Sequence, residues 1–283
     1  MDLKEHESIS DSFKEAGFTD AEASSLLAQI AKIRADEQSF KAYFDKNWSS
    51  AFMMSESFYI AIQQTISQYR KHRETLSEEN ALEKKNTYTA LYQIHTRASQ
   101  QYLEIITLIK NGFPDGAFAR WRSMYELSVI GAFILKYGEA VAEKFIEATD
   151  TQDRYDWAMA SEVFPETKRH VTFGDILKLC DMDFDVWKEN YTAANQTVHA
   201  SAQGTFGRLG VPDGEKSTSK RSAYGTAAPA IQSASTLALT ASTFISLYPD
   251  EKTNQKMDLA LNLFSQLTEK YCQIHDSLFP DDE

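Results

Sequence analysis

The sequence predicts an all-α protein, a multi-helix bundle, and three observations carry that prediction. Glycine (11) and proline (6) are too scarce for a sandwich or barrel, which needs many tight turns. Apolar residues recur at helical spacing, with Leu91, Ile94, Ala98, Tyr102, Ile105 and Leu108 the clearest run. Hydrophobic residues make up 42% and aromatic ones 12%, enough apolar surface to fill a core and to exclude a disordered chain.

The elements follow in order. A short helix over 8–17 stops at Gly17, and Thr19 with Glu22 forms a capping box that starts the next helix, which is expected to run to about Asp45. A third is expected over Trp48–Leu76, with Phe52, Phe58, Ile62 and Ile66 on its apolar face, before the polar break Ser77-Glu78-Glu79-Asn80. The chain thus divides into an N-terminal helical extension, 1–80, and a helical-bundle core, 81–283. The core begins with a helix over Leu82–Lys110, closed by Asn111-Gly112, where glycine takes the left-handed cap without steric cost. Phe113-Pro114-Asp115-Gly116 is a tight connector, so the helix over Pro114–Tyr137 returns antiparallel at the centre of the fold. Helices are expected at about Glu139–Val163, from Thr172 (an acidic residue at the capping-box position), at Asp183–Ala200, at Ala227–Tyr248 and at Asp250–Leu278. The segment Ser201–Tyr224, with four glycines and Pro212, reads as an irregular loop.

The formal net charge of −12 is the wrong sign for a broad duplex-DNA-binding face, though it leaves room for RNA or a nucleotide in a small local pocket. Cys180 and Cys272 match no metal spacing and read as reduced and buried. The N-terminus is charged and lacks a signal-peptide core. Residues 222–249 carry no charge, but their Ala, Ser and Thr content and Pro229 fit a buried helix better than a membrane span. A cytoplasmic protein without a membrane segment, metal or cofactor is the expectation.

Three groups of residues bear chemistry. The Gly116–Leu135 stretch is apolar on nearly every side, yet it carries Arg120, Arg122 and Glu126. Charges in such a helix must pair or face a polar pocket. Arg122 and Glu126, four apart, can do the first; an arginine fork that binds an anion or phosphate is the second. Asn195-Gln196-Thr197-Val198-His199 ends a helix, and His199 reads either as a helix-end hydrogen-bonding group or as a proton-transfer group. Gly204–Gly210, with Arg208, Lys216, Lys220 and Arg221, is a locally basic loop, either a plain surface loop or a contact for RNA or nucleotide. Gly214-Glu215-Lys216-Ser217 superficially resembles a phosphate-binding loop, but it lacks the full spacing and a preceding strand. The Asp181, Asp183, Asp185 run fits a helix start and lacks the glycine and closing glutamate of a calcium loop. Zinc-protease, di-iron and serine-hydrolase motifs do not occur.

Two stretches together carry a family resemblance: Gly112, Gly116, Ala117, Arg120, Arg122, Ser123 and Glu126 in one pattern, and Tyr191–Ser201, ending Val198-His199-Ala200-Ser201, in the other. Over about Lys85–Leu247 the chain resembles an uncharacterised family of bacterial helical proteins associated with phage-defence and toxin contexts, distantly similar to HEPN-type helical ribonucleases. The resemblance implies a HEPN-like core, a homodimer and metal-independent RNA cleavage, with His199 as base, Arg122 or Arg120 on the phosphate charge, Glu126 orienting the arginine and Asn195 beside the histidine. The strict HEPN signature of an arginine, four to six residues and a histidine is not present: Ala194 stands where an arginine would precede His199. A non-catalytic module that binds a nucleotide or a partner is the alternative. The homodimer has a second motivation. The Ala227–Tyr248 helix, with its stripe Ala230, Ala234, Ala238 and Ala241, has no charge and needs a cover.

Overall fold

The computed structural model describes residues 9, 11–150, 154–180, 187–199, 202–212 and 221–280, and among these the regular elements are helices, with no strand. The Asp181–Asp185 run, Lys216, Lys220 and the Gly214–Ser217 stretch lie outside the described residues. Contacts divide the chain into two compact units, Met1–Asn47 and Trp48–Glu283.

In the first unit, the Thr19 amide donates to Glu22 Oε2 at 2.8 Å and the Glu22 amide to Thr19 Oγ1 at 3.4 Å, which is the reciprocal capping box. It opens α1, Asp20–Arg73. This helix is continuous where the sequence reading expects two. No glycine or proline occurs between Asp20 and Arg73, so nothing in the backbone stops propagation at residues 45–48. Arg70, Lys71, His72 and Arg73 occupy the last turn, where cations suit the carbonyl end.

The second unit is built on an antiparallel pair, α3 (Lys85–Lys110) and α4 (Pro114–Tyr137), preceded by the short α2 (Glu78–Glu83). Gly112, at φ 76°, makes the turn between the pair. The register is read from Glu104 paired with Arg120, Gln101 Nε2 donating to Ser123 Oγ at 3.0 Å, and Ile94 against Gly131. As its all-round apolar sequence predicts, α4 is central: Trp121, Met124, Val129, Phe133 and Ile134 are fully buried.

Across this pair lies α9 (Ala227–Ile245), with Trp121 Nε1 donating to Thr236 Oγ1 at 2.9 Å and Phe244 in edge contact with Tyr69 at 4.8 Å. Ala230, Ala234, Leu237, Ala241 and Phe244 are all at 0% exposure. The charge-free helix is therefore covered by its own chain, and the inference from it to a second copy is withdrawn. Residues 48–73 of α1, which the sequence reading places in the extension, supply Trp48, Phe58, Ile62 and Tyr69 to the same core. They pack on α3 and on the closing helix α10 (Glu251–Leu278), where Tyr271 meets Trp48 at 5.8 Å and Ser55 Oγ at 2.9 Å.

After α4 come α5 (Glu139–Glu147), two 3-10 segments at Ala148–Asp150 and Asp156–Ser161, α6 (Phe173–Lys178), α7 (Lys188–Val198) and α8 (Ala202–Phe206). The single helix expected over 139–163 thus ends at Glu147. Thr149 and Asp150 are poor helix formers, and the chain tightens into the 3-10 segment Ala148–Asp150 instead. The Thr172–Asp175 capping box is present. Among its described residues, the loop expected at 201–224 holds the short helix α8. Gly225 then passes the Leu209 carbonyl so closely, at φ 75°, that a Cβ would sit 2.3 Å from its oxygen. Cys180 is half-buried, but Cys272 is exposed, which corrects the expectation for it: Tyr271 points inward, and one residue on, the helix has turned to solvent. Among the described residues no helix is long and apolar enough to cross a membrane.

Candidate functional site

Glu126 is the most deeply buried carboxylate of α4, at 4% exposure. A lone carboxylate there would be costly, and the fold supplies it with three donors. Arg122 Nη2 reaches Oε1 at 2.9 Å from one turn earlier on the same helix. Arg154 Nη2 reaches Oε2 at 2.8 Å from the stretch before the second 3-10 segment. The Tyr191 hydroxyl donates to Oε1 at 2.9 Å from α7. Two guanidiniums against one carboxylate leave the cluster with a net positive charge.

Aromatic rings enclose it. Tyr125 contacts Tyr191 at 4.8 Å and Trp187 at 5.6 Å, and Phe173 contacts Tyr191 at 5.5 Å. The Arg122 guanidinium lies 5.7 Å from the Tyr191 ring, and Arg154 lies 5.2 Å from Tyr155. Burial, and then the Glu126 charge, push the Tyr155 hydroxyl up to about 12. The same two causes raise Tyr191, so at neutral pH both keep their protons and Tyr191 remains a donor. The Arg122 Nε is buried with no partner among the described residues.

The two arginines differ in exposure. The Arg122 side chain is 24% exposed and Arg154 67%. Arg154 also lines a groove of about 450 Å³ with Thr89, Gln93, Phe145, Ile146 and Trp157. Phe145 and Trp157 meet edge to face at 5.0 Å, so the groove is largely apolar with a cation on its border.

The other sequence-derived candidates lie elsewhere. Arg120 pairs with Glu104 of α3, away from Glu126. His199 is exposed and caps α7, its amide donating to the Asn195 carbonyl at 3.3 Å. Eight residues separate it from Tyr191, two turns and about 12 Å along the helix. The structure therefore joins Arg122 to Glu126 as expected, and it is Tyr191 and Arg154, rather than His199, that complete the cluster. Tyr191 opens one of the two stretches that carry the resemblance. Arg154 has no local signal, because its partner stands 28 residues earlier.

Arg208 of the basic loop is held by Asp115, which also accepts the Leu209 amide at 2.7 Å, so this loop is tied to the first turn of α4. No group of three or more His, Cys, Asp or Glu side chains placed to hold a metal occurs among the described residues.

In comparison with known proteins, a family of unknown function (DUF5677) matches residues 88–216. That span takes in most of α3 and, with it, Arg122, Glu126, Arg154, Tyr191 and α8. No curated protein and no solved structure matches. Over the part of the chain that holds the Glu126 cluster, this protein is similar to an uncharacterised family.

Proposed function

We propose that the chain is a binding module for a phosphate-bearing ligand, a nucleotide in its simplest form, taken at the Arg154 edge of the Glu126 cluster. One observation carries this reading: a mostly exposed guanidinium, held in place by a buried carboxylate, borders an apolar groove walled by Phe145 and Ile146. A phosphate suits the fixed arginine fork and a base suits the apolar wall. The anchoring supports the reading because an arginine already ordered loses less entropy on binding than a free one.

RNA cleavage by a HEPN-like defence effector is the second reading, and the family resemblance favours it. It requires His199 and an arginine about one phosphodiester. The two helical turns between His199 and Tyr191 are the reason binding stands first.

Calorimetry with AMP and ADP tests the proposal. Arg154→Gln, at an exposed side chain, is expected to weaken binding about tenfold, the worth of one charge-assisted hydrogen bond. No binding at millimolar nucleotide, or equal affinity in the variant, overturns it. Incubation with single-stranded RNA in the presence of a chelator reads the alternative. Cleavage that His199→Ala abolishes makes the protein a ribonuclease, and growth inhibition relieved by the same variant places it among toxins. Light scattering on the same samples reads the homodimer that the resemblance implies.

A further inference from the structure

A second polar site lies farther along α3. There α1 and α3 run antiparallel and part to leave a cleft of about 430 Å³, lined by Tyr59, Gln63, Arg70, Tyr92, His95 and Ser99 among others. Its volume is that of a small-molecule site, and no carboxylate lines it.

The base of the cleft is built of hydrogen-bonding groups where two packed helices ordinarily bury apolar ones. Gln63 Nε2 donates to Ser99 Oγ at 3.2 Å, and Ser99 Oγ stands 3.3 Å from His95 Nε2. Ser99 is 7% exposed and His95 2%. Because the Ser99 oxygen accepts from Gln63, its own proton is free to go to His95 Nε2. The neutral ring then carries its proton on Nδ1, and Nδ1 has no partner among the described residues. Burial keeps the ring neutral, pushing it down to about 4. Phe244 backs the imidazole in a near-parallel stack at 6.2 Å, which closes that side to solvent.

The walls are aromatic. Tyr59 stacks on Tyr102 at 6.1 Å, and Tyr92 stacks on Tyr88 at 6.3 Å. At one end the Arg70 guanidinium lies 5.5 Å from the Tyr92 ring. It is exposed, and no acidic group pairs with it among the described residues. Seven residues of helix, about 10 Å, separate Gln63 from Arg70. The cleft thus offers a neutral polar base, flat walls and one cation at its end.

We infer that this cleft binds a planar aromatic carboxylate of one or two rings. The carboxylate meets Arg70, the ring lies between Tyr59 and Tyr92, and a polar ring substituent meets Gln63 and Ser99. A guanidinium already set against an aromatic face suits a carboxylate attached to a ring.

The test uses the full chain, with indole-3-carboxylate, its neutral carboxamide and AMP as probes in calorimetry and in NMR of the histidine ring protons. The carboxylate is expected to bind at sub-millimolar concentration and to shift the His95 resonance. Arg70→Gln weakens the carboxylate about tenfold and leaves the carboxamide unchanged, whereas Gln63→Leu weakens both. Both variants alter side chains with solvent access, so the fold stays intact. No binding by the wild type, or an affinity that neither variant changes, overturns the inference. So does equal binding of carboxylate and carboxamide. Arg154→Gln separates this site from the nucleotide site: a carboxylate lost there and kept in Arg70→Gln belongs to the other groove, and the inference fails while the nucleotide reading stands.

Discussion

The Tyr191 hydroxyl donates to Glu126 at 2.9 Å across the contact between α7 and α4, and that bond joins residues 65 positions apart. With Arg154 it converts a buried carboxylate from a liability into the hub that fastens the 3-10 segment and α7 to the central helix. The hub accounts for the acid at position 126 of an otherwise apolar helix. Its loss is therefore expected to loosen the Asp156–Ser161 segment and α7 before it loosens the α3–α4–α9 core.

Glu126→Leu is expected to destabilise the protein by about 3 kcal/mol, because it strands a mostly buried Arg122 without its anion. Tyr191→Phe removes one hydrogen bond to a charged acceptor and costs about 1.5 kcal/mol. Urea denaturation followed by far-ultraviolet circular dichroism checks both. If the two variants have equal midpoints to wild type, the carboxylate is not the hub described.

His95 makes stability depend on pH in a defined direction. Its folded-state pKa is depressed to about 4 by burial, whereas the unfolded imidazole titrates near about 6.5. Between those values the unfolded chain binds the extra proton, so stability is full above about pH 6.5 and is lost as pH falls toward about 4. The shift corresponds to a loss on the order of 3 kcal/mol. Urea midpoints taken at pH 7 and pH 4.5 should differ, and His95→Gln should flatten that difference. A wild type with the same midpoint at both pH values contradicts a neutral, buried His95.

Glu139 caps a helix from outside it. Its carboxylate accepts the Asn86 amide at 2.7 Å and the Thr87 amide at 2.9 Å, at the start of α3, where Lys84 gives no side-chain cap. Glu139→Ala is expected to lower stability by about 1 to 2 kcal/mol and to speed amide exchange in the first turn of α3. Exchange of Asn86 and Thr87 at the wild-type rate would show that solvent caps the helix equally well.

The central Arg122–Glu126 pair was legible in the sequence because both residues lie on one helix, four apart, where the helix period brings them together. Arg154 and Tyr191 were not, for their place beside Glu126 depends on how separate segments dock. The same holds for His95 and Ser99. Their i, i+4 spacing is visible in the sequence, but that Gln63 of α1 would join them, and that Phe244 would bury the ring, is set by the rotation of three helices about their axes. Each residue turns a helix by about 100°, so a small change in docking exchanges which side chains meet.

What the sequence determined by itself is local: that the chain is helical, where Thr19 and Thr172 begin helices, that Gly112 turns α3 back into α4, and that α4 is buried. Propensity, capping and apolar periodicity act within a few residues, and so they can be read from a few residues. Tertiary structure alone decided that α1 runs unbroken from Asp20 to Arg73, that α9 is covered by its own chain, and that Tyr191 rather than His199 reaches Glu126. Those outcomes rest on desolvation and side-chain packing between segments far apart in the chain, whose free energies depend on three-dimensional fit and leave no mark at any one position.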